Sequence, residues 1–428
     1  MSVESGTAYQ GQGAVWAPPV GPARPRDLCT DCGISRSANP GRCGTACQFI
    51  HPRYDELETR VHGRSRDPER PDELHFGPFV RMLRAQLRAP LEGAQWTGIT
   101  TRIGAKLLET KAVDAVLAVA PDPDDEWRPR PVLVTEPQGM VECRGMRMGY
   151  APLLAQLEPA LAQGWKRLAV IGIPCQVHAL RALEEQFGLE KLYVIGTPCS
   201  DNTTTEHFHE FLALLSDHPE DIKYLEFRAD YRVEIRFRSG EVREIPFLDL
   251  PISQLPSDFF PLTCRTCVDY TNVLADLTVG YMGGQGHQWL IVRNARGEAL
   301  VDLLEDELKT EAPTSAGRRH AHVAGFLKNL QLAGDGLPLR RAPKWIRPLM
   351  SWLMPRIGPR GLEFARARLE MKALETVLHL RRSKPRRIRR MVPEHIWKLV
   401  DAYGITSKPE ERPTSASVSP RSQGAPSG

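Results

Sequence analysis

Across 428 residues this sequence has no apolar run approaching the roughly 18 residues that a membrane-crossing helix needs. No basic start followed by an apolar stretch opens the chain, so no secretory signal is expected and the cytoplasm is the expected location. Charge is nearly balanced: 56 Lys and Arg against 52 Asp and Glu leave +4, which does not call for a nucleic-acid partner. No GxGxxG occurs, so the standard dinucleotide-binding turn is not indicated. No internal repeat is present. What remains is ordinary globular composition, 41% hydrophobic and 25% charged. That suits two or three domains, or one large α/β body with an appended module.

Against this plain background stand nine cysteines. Cys29, Cys32, Cys43 and Cys47 fall within 19 residues. Cys175, Cys199, Cys264 and Cys267 form a second set scattered along the chain, and Cys143 stands alone in Glu-Cys-Arg-Gly, a structural position. In a reducing compartment, clustered thiols point to metal or catalysis rather than disulfides. Two groups of four suit two 4Fe–4S clusters, each of which takes four thiolates. A structural zinc site competes for the N-terminal set, since zinc also takes paired cysteines at short spacing. For the second set, Cys175 also reads as a small buried hydrophobe or a helix-N-terminal thiol of lowered pKa. The first expectation is a redox protein.

The pattern along the chain gives an α/β class. Residues 1–26, rich in Gly, Pro and Ala, read as a disordered leader. Residues 27–50 form the cysteine module, too poor in apolar surface to fold without a metal. Residues 51–90 read as a connecting segment, 91–305 as the α/β catalytic domain, 306–405 as a helical basic extension and 406–428 as a disordered tail. Arg167–Ile173, Gln176–Phe187 and Lys191–Ile195 form a βαβ unit, hence adjacent parallel strands. Cys175 and Cys199 each follow the C-terminal end of one of those strands, the edge where open α/β sheets gather ligands. Arg232–Phe237 and Glu241–Ile245 read as a hairpin, with further strands at Ala275–Gly280 and Trp289–Val292.

Other segments carry weaker chemistry. Gln95–Thr101 places amides, hydroxyls and a glycine at a helix start, where phosphate binds well and where an ordinary cap looks the same. Val279–Gly286 is glycine-rich enough for backbone to approach a flat cofactor. Seven of the ten residues Arg381–Arg390 are Lys or Arg. They read as a solvated face or as a docking surface for an acidic electron donor. Trp345–Leu353 is amphipathic, which suits peripheral contact with a membrane surface.

Several strings together resemble one family. Cys175-Gln176 after a strand, Cys199-Ser-Asp-Asn202, Cys264-x-x-Cys267-Val-Asp-Tyr-Thr271 and Ala275–Gly280 resemble the β subunits of deazaflavin-coenzyme-reducing hydrogenases and dehydrogenases. Glu92–Gly98, Leu189–Gly196, Val279–Gly283 and Gly358–Ala365 are similar to the chlorophyll-pathway branch of that family, over about residues 27–403. The resemblance implies a mixed-sheet flavin domain with an N-terminal iron–sulfur module, one FAD, two 4Fe–4S clusters and reduced ferredoxin as donor. It implies cluster ligation by Cys29, Cys32, Cys43 and Cys47, and by Cys175, Cys199, Cys264 and Cys267. FAD would lie near Gln95, Thr97, Gly98, Thr100, Asn202, Gly280, Tyr281 and Gly283. The implied reaction reduces the 8-vinyl group of a divinyl chlorophyllide-type tetrapyrrole. Reduction of a 7-hydroxymethyl chlorophyll, or service as a deazaflavin oxidoreductase subunit, are the alternatives. The family also implies self-association into a homo-oligomer. Asp201, Asp276 and His287 are candidate proton donors only because they flank these motifs. Relatives continue the first cysteine pair as CxxCGxC, whereas this chain has Ser35 at the third position, with Cys43 as its replacement. The segment after Tyr281-Met-Gly283 is also shorter than in relatives. A zinc-stabilised interaction or nucleic-acid-binding protein remains the reading from a different class.

Overall fold

The computed structural model describes residues 14–23, 29–228, 230–280, 286–334 and 343–412. Its strands, in chain order, are β1 Val15–Trp16, β2 Arg81–Leu87, β3 Ala115–Asp122, β4 Asp125–Val134, β5 Arg167–Gly172, β6 Lys191–Gly196, β7 Ile222–Phe227, β8 Arg232–Phe237, β9 Val242–Pro246, β10 Leu277–Gly280, β11 Gln288–Val292, β12 Leu308–Glu311, β13 Ser315–Ala316 and β14 Arg360–Gly361. Nine of them form one mixed sheet in the order β1-β4-β3-β5-β6-β10-β11-β2-β12. The centre is parallel, from β3 through β5 and β6 to β10, and both flanks are antiparallel. β7–β9 form a separate antiparallel sheet, and β13 pairs with β14.

Strand alternation divides the sheet between two cores. In β3, Leu117 faces a core containing Leu180 and Val377, while Val116 and Ala118 face one containing Ile103, Leu107 and Leu300. Burial on both faces is what parallel strands require, and it explains the unbroken Leu168–Val170 and Val194–Ile195 runs. A third core fills the space between β7–β9 and the helix Thr205–Ala213, around Phe208, Phe211, Val233 and Ile235. Among the described residues no helix is long and apolar enough to cross a membrane.

Several expected boundaries shift. The segment expected to be a disordered leader contains β1, which pairs with β4 while Trp16 packs edge-on against Trp165 at 5.9 Å. Residues 51–90 are more than a connection, because β2 lies inside the main sheet between β11 and β12. β12 belongs to that sheet too, so the body does not end at 305. Within the expected tail, buried Glu411 accepts two hydrogen bonds from Arg381, so residues 406–412 pack on the body. β4 escapes sequence reading because it holds Pro129 and Pro131. The Pro131 carbonyl accepts from Gln156, and β1 pairs with β4 only at Leu133 and Val134, so the prolines lie beyond that short pairing.

Candidate functional site

The N-terminal cysteines reach the body through backbone contacts. Leu154 N donates to the Cys32 carbonyl at 2.9 Å, and Gly33 adopts φ 106° there. A Cβ on Gly33 would fall 2.4 Å from Ala155 N, so only glycine allows this approach. The helical turn Cys43–Ala46 rests on the helix Pro174–Leu183, where His178 Nδ1 donates to the Ala46 carbonyl at 3.0 Å. Burial holds His178 down at about 4, so it is neutral and its Nε2 accepts from Arg53 N. Ile34, Ala46 and Phe49 join the core below, more anchorage than the module's short length suggested. Cys29, Cys32, Cys43 and Cys47 line one small cavity. Ser35 is in its wall, and so is Cys175.

The scattered cysteines come together at the C-terminal edge of the parallel strands. Cys175 stands in the first turn of the helix after β5, and Cys199 follows β6, its N–H donating to the Tyr270 carbonyl. Cys264 and Cys267 sit on and just after the turn Leu262–Arg265. Burial raises the thiol of Cys199 well above its ordinary value, and the neighbouring Cys264, Cys175 and Cys267 raise it further. Cys175 is pushed up to about 12 by burial, and the nearby Cys267 and Cys47 raise it further. Because it also lines the small N-terminal cavity, it adjoins both sets. Gln48 joins them too: its Nε2 donates to Cys267 Sγ at 3.6 Å while Tyr54 donates to its Oε1 at 3.0 Å.

The donor chemistry fits two anionic metal–sulfur centres. Among the described residues, no three His, Cys, Asp or Glu side chains close on a single ion. A four-iron cube asks for a wider arrangement, four sulfurs around a body of several atoms. Buried thiols with raised pKa values become thiolates only when cationic metal offsets their charge. The protein also supplies a buried cation beside the second set. Lys372 Nζ donates to Asp201 Oδ1 at 2.9 Å, to the Cys264 carbonyl at 3.4 Å and to the Ser200 carbonyl. Burial works against its charge, but Asp201, Cys267 and Cys264 outweigh that and raise its pKa.

Beside Cys199 opens a cavity of about 780 Å³, within the range of sites for large organic ligands. The start of the helix Ile99–Glu109, with Gly98 and Thr100, forms one end, and Arg144 and Arg147 stand in the same wall. The sheet edge contributes Ile173, Pro198 and Gly280. Phe208, Phe227, Tyr231, Phe247 and Phe259 make an aromatic side, and the helix Leu362–Ser383 closes the cavity with Phe364, Arg368, Met371 and Glu375.

Of the expected cofactor residues, Gln95, Gly98, Thr100, Asn202 and Gly280 line this cavity. Thr97 does not; its hydroxyl accepts from Leu87 N at 3.0 Å and donates to Gln288 Oε1 at 3.3 Å, fixing the loop. The glycine at 280 answers to packing, because a Cβ there would lie 2.2 Å from Pro198. Tyr281 and Gly283 lie outside the described residues. Among the candidate acids, Asp201 lines the cavity, ion-paired to Lys372 and 3.5 Å from Arg368. Asp276 is elsewhere, fully buried between Arg181 at 2.9 Å and Arg296 at 2.8 Å. Its place beside a cofactor-like motif misled because the residue braces strands: Oδ2 accepts from Val194 N at 2.8 Å. His287 faces Glu311 of β12 at 3.6 Å rather than the cavity.

The structure adds a carboxyl that sequence reading passed over. Glu375 lines the cavity, 3.5 Å from Arg265. Burial, then the nearby Asp201, raise it to about 7. Arg368, Lys372 and Glu375 recur at helical spacing on one face, a signal present in the sequence but hidden by charges all round that helix.

Comparison with known proteins places this site in context. Family models described as coenzyme F420 hydrogenase/dehydrogenase, beta subunit, match residues 82–158 with the N-terminal part and 165–316 with the C-terminal part. A chloroplastic 7-hydroxymethyl chlorophyll a reductase of Oryza sativa subsp. japonica is 38% identical over 400 residues, spanning 90% of this chain and 84% of its own. An uncharacterized protein of Nostoc sp. is 37% identical over 381 residues, spanning 89% and 94%. The beta subunit of a coenzyme F420 hydrogenase of Methanococcus voltae is 26% identical over 243 residues, 54% of this chain and 83% of its own. A chain of the F420-reducing [NiFe] hydrogenase complex of Methanosarcina barkeri has the same fold, with TM-score 0.51 and 21% identity over 58% of this chain and 84% of its own.

Proposed function

The chain belongs to the coenzyme F420 hydrogenase/dehydrogenase beta-subunit family, in the branch that includes a chlorophyll reductase, and from that premise we propose that it is a ferredoxin-dependent iron–sulfur flavoprotein reducing a chlorophyll-type tetrapyrrole. One observation carries the reading. Cys199 belongs to the buried cysteine set and also to the wall of the large aromatic cavity, so electrons held at that set need no further relay to reach a ligand.

Bound at these sites, two 4Fe–4S clusters and FAD would supply single-electron relay and two-electron delivery. The cysteines would hold the clusters, the outer one on Cys29, Cys32, Cys43 and Cys47, the inner one on Cys175, Cys199, Cys264 and Cys267. Gly98, Thr100 and the helix N-terminus, with Arg144 and Arg147, suit a pyrophosphate. Lys372 offsets negative charge at the inner set. The aromatic side holds a flat ring and excludes water. With its carboxyl raised to about 7, Glu375 is partly protonated at neutral pH and could give that proton to the reduced pigment. The exposed Arg382, Lys384, Arg386, Arg387 and Arg390 offer an acidic donor protein a complementary surface.

The favoured reaction takes an 8-vinyl group to ethyl, consuming two electrons and two protons. A second reading, favoured by the rice relative, takes 7-hydroxymethyl to methyl with the same electrons and protons and releases water. Anaerobic purification with iron, sulfide and flavin quantification tests the cofactor content; about eight irons and one FAD per chain are expected. Assays of divinyl chlorophyllide and 7-hydroxymethyl chlorophyll a with reduced ferredoxin then decide between the reactions. Zinc without flavin sinks both.

A further inference from the structure

Ten large apolar side chains are exposed among the described residues, and four of them, Trp345, Leu349, Trp352 and Ile357, fall within 345–357. Leu349 and Trp352 share one face of the helix Arg347–Ile357 with Arg356, whose guanidinium lies 4.1 Å over the Trp352 ring. Trp345, just before that helix, is 80% exposed. The helix turns its other side inward, where Met354 lines the large cavity.

Charge narrows what can cover this face. From Pro343 to Leu362 the sequence holds four Lys or Arg, namely Lys344, Arg347, Arg356 and Arg360, and no Asp or Glu. A second copy seated on the same face would bring two such rows together, an unfavourable arrangement. Aromatic rings and aliphatic side chains rimmed by cations are the composition of a helix lying in a lipid headgroup layer. At 11 residues it is far too short to span a bilayer, so it lies in the plane.

We infer that the segment Lys344–Ile357 seats the protein on an anionic membrane surface, with Trp345, Leu349 and Trp352 in the headgroup layer and Lys344 and Arg356 at the lipid phosphates. This holds whatever the cavity binds; joined to the reading above, it lets a lipid-partitioned pigment enter beside Met354.

Flotation of the full-length holoprotein with vesicles, without pigment or donor, tests it. Phosphatidylcholine vesicles containing phosphatidylglycerol are expected to carry the protein up in a salt-sensitive way, and pure phosphatidylcholine about tenfold less. Trp345→Ser with Trp352→Ser should cut binding at least about tenfold, while the melting temperature and iron content stay at the wild-type level. Lys344→Glu with Arg356→Glu should abolish the preference for the anionic lipid. Wild type left unbound, or a double tryptophan variant that floats like wild type, overturns the inference. So does a tryptophan variant that changes only the oligomer's size, since the face then belongs to a second copy. Failure to reduce pigment would count against the reductase reading alone, because flotation involves no turnover.

Discussion

Gln48 donates to Cys267 Sγ across 3.6 Å, a hydrogen bond that joins the N-terminal cysteine module to the set buried in the α/β body. Tyr54 fixes the amide from behind at 3.0 Å, so the donor points at the sulfur rather than turning freely. Hydrogen bonds to cluster sulfurs favour the reduced, more negative state. Gln48→Leu should therefore lower the potential of one centre by tens of millivolts and leave the other in place. Redox titration followed by electron paramagnetic resonance reads this; an unchanged potential assigns Gln48 to packing alone.

Ser35 and Cys43 both face the small cavity, so the outer ligand set can be decided by substitution. With Cys43 as ligand, Cys43→Ser loses about four of eight irons, and Ser35→Ala loses none. Ser35→Cys in the Cys43→Ser background should recover iron, measured per chain after anaerobic purification. Full iron content in Cys43→Ser would move the fourth ligand elsewhere, with Cys175 next to be tested.

Arg181 and Asp276 are each fully buried; their ion pair ties the helix Pro174–Leu183 to the start of β10, and Asp276 also accepts from Val194 N of β6. Asp276→Ala leaves the buried guanidinium with Glu184 as its one remaining carboxylate among the described residues and should cost about 3–5 kcal/mol in urea unfolding. Burial alone would raise the Asp276 carboxyl, but Arg181, Arg296 and Asn294 outweigh it and hold it below its ordinary value. The folded state thus binds the proton more weakly than the unfolded chain. The contribution is present above the ordinary aspartate value of about 3.9 and is lost as pH falls through the lower folded value. Acid unfolding should accordingly set in at higher pH for Asp276→Asn than for wild type.

Glu375 shifts the opposite way, to about 7. Between about 4.3 and 7 the folded state holds a proton that the unfolded chain releases, so this group's contribution to stability falls as pH rises through that window. Glu375→Gln removes the dependence, and thermal melts should show the variant gaining on wild type from pH 5 to pH 8. If the carboxyl supplies the substrate proton, turnover of wild type declines above pH 7 and Glu375→Gln lowers kcat by about 100-fold or more, with KM little changed. A wild-type kcat in the variant returns the proton donor to another group.

The central βαβ unit was legible because two neighbouring parallel strands are apolar through their length and the helix between them is amphipathic. The fringe was not. β1 is two residues in a Gly- and Pro-rich stretch, and its existence depends on the open edge of β4 and on Trp165. β2 and β12 look like ordinary polar-flanked segments until β11 pairs with β2 and β2 in turn with β12.

Sequence alone determined the two groups of four cysteines, the α/β class and the placement of Cys175 and Cys199 past strand ends, because spacing and strand periodicity are local properties. Which groups meet was decided only in three dimensions. Cys175 adjoining both thiol sets, Lys372 beside the inner one, Glu375 in the cavity and Asp276 locked outside it all depend on contacts between segments far apart in the chain. The charge a side chain carries is set by the burial and the neighbours it finds there.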